Sequence, residues 1–160
     1  VAKVVQNTPN VIVEPWWVKG YAGYIGVGMG ALWWVLTSLL NRYIVEPSAC
    51  RDLESATACV NSFSVSGSIA AILVAIVGTI LLVRYVQPRP IVISVASLVL
   101  LWDLAALANG VVWWAALLWA LVLYGLSYGL FSLVAQIRFV AYSLLIAAFL
   151  VVGIRVILLI

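Results

Sequence analysis

Histidine is missing from this chain, which removes imidazole ligation of haem, the usual membrane zinc sites and every Ser-His-Asp arrangement. Cysteine is nearly as scarce: Cys50 and Cys59 are the only two copies, too few for a thiolate-held cluster. Both lysines, Lys3 and Lys19, precede the first long apolar run, so a Schiff-base lysine inside a helical bundle is excluded. Charge of either sign is rare, at 8% of residues, and no polar linker is long enough to divide the chain into separate domains. The pI near 9.1 reflects basic loop residues, and it does not indicate a nucleic-acid partner.

Apolar residues make up 67% of the chain. They gather into five runs, roughly Tyr21–Leu40, Val65–Val83, Ile91–Ala108, Val111–Ala135 and Phe139–Ile160. Each approaches the ~20 residues that cross a bilayer core as a helix. A soluble domain of this size could not hide so much apolar surface. The expectation is an all-α integral membrane protein, a five-helix transmembrane bundle spanning 21–160, in the cytoplasmic membrane of a prokaryote. Residues 1–20 lack the pattern of a secretory signal, and Trp16 and Trp17 suit the headgroup region, so the segment reads as an interfacial arm.

Five spans put the N-terminus and the second and fourth loops on one side, with Lys3, Lys19, Arg84, Arg89 and Arg138 against Glu14. The other side holds Arg42 and Arg51 against Glu46, Asp52 and Glu54. Excess Lys and Arg in short loops marks the cytoplasmic face, so the N-terminus is expected inside and the C-terminus and loop 41–64 outside. Cysteine gives a separate argument. Cys50 and Cys59 both lie in that outer loop with eight residues between them, and disulfides persist in oxidising compartments. A bridge here is worth ~2–3 kcal/mol. Asn109-Gly110 supplies a tight turn, making the third and fourth spans antiparallel neighbours, and Pro90 suits a first helical turn.

Helices in lipid associate through close backbone approach, which small residues permit. Ala22, Gly26 and Gly30 form one stripe, Gly67, Ala71, Ala75 and Thr79 a second, and Gly125 and Gly129 a third pair with Ser132 nearby. The first two stripes are expected to face protein, with each other as one arrangement. Of the aromatics, Trp113, Trp114, Tyr43 and Tyr85 fit interfacial anchoring. Trp33, Trp34, Trp102 and Trp119 lie deeper, where they either fill helix contacts and face lipid or wall a flat apolar ligand such as a quinone, carotenoid or lipid tail. No obligatory cofactor is expected.

Two ionisable groups stand within apolar runs. A charge at mid-helix costs ~2.5–3.5 kcal/mol, and such groups usually face the bundle interior and pair. Asp103 lies about 21 Å of helical rise beyond Arg89, and Arg155 about 25 Å beyond Arg138. Their similar height suggests an intramembrane ion pair that fixes helix register. The other readings are a proton- or ion-coupling carboxylate at Asp103, and a snorkelling Arg155 beside a protonated Asp103.

The cysteine pair in the first external loop, followed by further spans and a tight turn before the fourth, resembles the layout of the vitamin K epoxide reductase family. That resemblance would imply an electron relay from loop cysteines to a second Cys-x-x-C pair beside a quinone. The corresponding turn here reads Asn109-Gly110-Val111-Val112-Trp113-Trp114, without cysteine, so the relay cannot run in that form. The loop pair is also similar to that of claudins, although their Trp and Gly-Leu-Trp signature is missing. The leading expectation is therefore a non-catalytic subunit or scaffold packing against other membrane proteins or further copies of itself in the lipid bilayer. A small transporter or channel using Asp103 is the second, and a quinone-linked thiol redox protein the third.

Overall fold

A computed structural model describes residues 16–50, 59, 61–84, 89–136 and 139–159. Most of the expected arm (1–15), part of the outer loop (51–58 and 60), the segments 85–88 and 137–138 and residue 160 lie outside the described residues. Among the described residues every regular element is helical.

Helix α1 spans Trp16–Leu40 and passes through a π-helical turn, Asn41–Val45, into the short α2, Glu46–Ala49. The helical backbone thus continues beyond the polar Asn41-Arg42 pair at which the apolar run stops, and it begins at Trp16 inside the expected arm. Helix α3 is Ser62–Arg84. Helix α4, Pro90–Leu100, opens with proline in its first turn, where a missing N–H costs nothing. Arg89, directly before it, adopts a left-handed backbone at φ 56°; the proline ring disfavours right-handed helical geometry at that position.

The third apolar run is not one helix. It breaks at Leu101–Asp103 and resumes as α5, Leu104–Ala108. The Leu101 N–H donates to the Ser97 carbonyl at 3.0 Å, and the Leu104 N–H to the Leu101 carbonyl at 3.0 Å, so the ladder tightens by one residue at the break. No Pro or Gly occurs in 91–108. Packing supplies the reason: the redirected α5 buries Leu104 and Ala105, and Ala105 lies against Gly67 of α3.

Gly110, at φ 89°, makes the turn into α6, Trp113–Ala135, and α7 follows as Val140–Leu159. Helix α1 packs on α6 and α3, α3 also contacts α4 and α5, and α4 contacts α6 and α7. Small residues line the helix contacts, and many large apolar side chains face outward. Ala22, Ala70, Ala105, Ala120 and Ala135 are fully or almost fully buried, whereas Leu126, Leu145 and Phe149 are exposed. Small residues inside and large apolar ones outside are what lipid solvation favours. Among the described residues, three helices are long and apolar enough to cross a membrane, over Gly20–Ser48, Ser62–Arg84 and Trp113–Ala135, and two shorter apolar helices accompany them. This is a membrane protein with an all-helical fold.

Candidate functional site in the bundle interior

The close approach begins on α1. A Cβ on Gly26 would lie 2.5 Å from the Tyr124 carbonyl oxygen and 3.0 Å from Gly125 Cα. On Gly30 it would lie 2.5 Å from the Ala120 carbonyl oxygen. Gly125 in turn faces Val27, whose Cγ2 would be 2.8 Å from an added Cβ. The first stripe, with the fully buried Ala22, therefore meets α6, not α3. Gly67 faces Ala105 and Trp33, and Ala71 and Ala75 are buried. Gly129 faces open space.

These glycines let two helices approach and clear a channel that aromatic side chains then fill. Trp33 is 1% exposed, and its indole N–H donates to the Gly67 carbonyl at 3.0 Å, a second bond to an oxygen with two lone pairs. Its ring lies 6.1 Å from that of Tyr124, which lies 6.4 Å from Tyr128. The Tyr128 hydroxyl reaches the notch at Gly78 of α3 and lies beside the Ser94 side chain of α4. Ser94 also donates to the Pro90 carbonyl at 2.9 Å. One seam of aromatic rings and hydroxyls thus ties α1, α3, α4 and α6 together.

Sequence reasoning named Trp33 but missed Tyr124, Tyr128, Ser94 and Ser97. The only tyrosines the sequence reading assigns are Tyr43 and Tyr85, both to the interface, whereas the rings of Tyr124 and Tyr128 sit in the core. The signal was present in their four-residue spacing, which puts them on one face of α6. Of the other deep tryptophans, Trp34 is half-buried and Trp102 and Trp119 are exposed. Trp113, Trp114 and Tyr43 are exposed, and Tyr85 lies outside the described residues.

Charge is absent from this interior: among the described residues, the buried polar side chains are Thr, Ser and Gln. Asp103 is exposed at the helix break, while the side chain of Arg155 lies outside the description. Cys50 and Cys59 are joined in a disulfide with a Cα–Cα distance of 4.9 Å. Near that end of the bundle, Trp34, Ser38, Phe63, Asn109, Gly110 and Trp113 help line a cavity of about 260 Å³. Trp34 and Trp113 stand 6.3 Å apart across it. Among the described residues no three His, Cys, Asp or Glu side chains gather to hold a metal ion. No known protein family, characterised protein or solved structure matches the chain.

Proposed function

We propose that this protein is a non-catalytic subunit of a membrane assembly, a five-helix bundle that packs against other membrane proteins or against further copies of itself. One observation carries the reading. The interior is filled by Trp33, Tyr124, Tyr128 and Phe131, and no buried charge stands among the described residues to bind or relay an ion. A bundle sealed by large rings serves rigidity, and its exposed apolar faces suit lipid or neighbouring helices. Loop charge and the disulfide support an orientation with the N-terminus cytoplasmic and the bridged loop outside, in a prokaryotic cytoplasmic membrane.

Asp103 and Arg155 belong to this reading as a register-setting pair. Helices α4 and α7 are in contact, and five spans alternating across the bilayer would run them in the same direction. Asp103 stands three residues past the end of α4, which rises about 15 Å from Pro90 to Leu100, and Arg155 stands fifteen residues beyond Val140, about 22 Å along α7 at ~1.5 Å per residue, so the two lie in the same half of the bundle. The helix break beside Asp103 favours one rival. Interrupted membrane helices commonly frame ion or substrate sites in transporters, and this one carries a carboxylate.

Reconstitution into liposomes loaded with a pH-sensitive dye separates the two. The subunit reading expects proton flux under an imposed potential at the level of protein-free vesicles. Flux that Asp103→Asn abolishes would transfer the role to the transporter reading.

A further inference from the structure

We propose that the cavity beside the Gly110 turn binds a methylated ammonium group, carried by a free cation or by a phospholipid headgroup. The space originates in the helix break. Past Leu101–Asp103 the chain runs as α5 toward α3, where Ala105 meets Gly67, and Gly110 then leads into α6. Because α5 is drawn to α3, the turn after it leaves about 260 Å³ beside α1. The lining grades from an exposed rim at Asn109, Gly110 and Trp113, through half-buried Trp34, Ser38 and Phe63, to buried Ala116.

Aromatic rings dominate this lining, and Trp34, Phe63 and Trp113 come from three different helices. The two indoles stand 6.3 Å apart and are inclined at 47°. A flat ligand stacked between them would need parallel faces about 7–8 Å apart, so the pair makes a wedge and not a slot. A rounded cation resting in that wedge comes within the ~6 Å over which a ring face attracts positive charge. Among the described residues, none that lines the cavity is charged, so an anion finds no cation to pair with. A primary ammonium has three N–H donors to satisfy, and the side-chain acceptors here are those of Ser38 and Asn109. A quaternary ammonium has no N–H at all and draws its binding from ring faces. Nearby charge has the matching sign. The segment from Asn41 to Ser62, which leaves α1 just past Ser38 and returns just before Phe63, carries Arg42 and Arg51 against Glu46, Asp52 and Glu54. Asp103 adds another acid ahead of α5, whose last residue, Ala108, lines the same space. Excess acid around a site raises the local concentration of cations.

The test titrates the full chain, in a maltoside detergent that has no ammonium group, with choline and with its neutral carbon isostere dimethylbutanol. Proton NMR follows the methyl signals of each. Choline should bind saturably, its methyl signal moved upfield by the ring faces, and the isostere should bind about five- to thirtyfold more weakly. Trp113→Leu should weaken choline by about two- to fivefold. Trp113 is 65% exposed, so the variant should keep its fold, which an unchanged melting temperature checks. Short-chain phosphatidylcholine identifies the source: tighter binding than choline, not shared by the matching phosphatidylglycerol, assigns a lipid headgroup, and no such gain assigns the free cation. Choline that fails to saturate, an isostere that binds as well, or full affinity in Trp113→Leu would overturn the proposal. The isostere comparison needs only the wild type, so it stands even where the variant does not fold.

Discussion

Gly26 and Gly28 stand two residues apart on α1, yet adding the same methyl group to each should move stability in opposite directions. At Gly26 the new Cβ would lie 2.5 Å from the Tyr124 carbonyl oxygen, 2.7 Å from Tyr128 Cβ and 3.0 Å from Gly125 Cα. Two of these neighbours are backbone, which cannot rotate aside, so α1 and α6 must separate along their contact. Overpacking of that kind costs about 1–3 kcal/mol, and the displaced seam would loosen the Trp33–Tyr124 contact as well. At Gly28 a Cβ meets nothing within 4 Å, so only the helix preference for alanine acts, worth up to about 1 kcal/mol in favour. The two variants should therefore differ by roughly 1–4 kcal/mol. Reversible unfolding of both in mixed micelles, titrated with a denaturing detergent and followed by tryptophan fluorescence, measures that difference. Equal tolerance, or a more damaging Gly28→Ala, would mean that α1 does not meet α6 through its glycine face.

Three further outcomes are expected. Trp33→Phe removes the donor to Gly67 and leaves a partial void, so unfolding in the same assay should be easier by about 1–2 kcal/mol. Cys50→Ser should destabilise by ~2–3 kcal/mol, and both thiols should resist an impermeant maleimide added from outside until a reductant opens the bridge; labelling without reductant would contradict the disulfide. If Asp103 and Arg155 pair, Asp103→Asn combined with Arg155→Gln should recover much of what Asp103→Asn alone loses; additive losses would mean that the two residues act independently.

Much of the helix plan was legible because apolar runs and helices share their limits where a turn residue enforces them. Val111–Ala135 was expected and Trp113–Ala135 is helical, since Gly110 stops the chain just before; Phe139–Ile160 compares with Val140–Leu159. At Asn41 the limits part company. Polarity ends an apolar run but does not end a backbone ladder, so the helix continues through the π-turn. The break at Leu101–Asp103 had no punctuating residue to announce it, because its cause lies in another helix, at Gly67. Small-residue stripes could be read, but their partners could not: spacing shows that a face permits close approach and says nothing of which helix takes it. Tyr124 and Tyr128 were hidden for a related reason. A tyrosine is equally at home at an interface or in a core that supplies a serine hydroxyl, and only the fold brings Ser94 to Tyr128.

The subunit reading meets its most direct test in native mass spectrometry of the protein taken from its own membrane in a mild detergent. A stoichiometric assembly with another membrane protein, or a defined oligomer of this chain, is the expected result, and mutating exposed apolar positions such as Phe149 should leave the fold intact while probing the contact. A bundle that leaves the membrane as a monomer, at every detergent concentration that preserves its fold, would contradict the account.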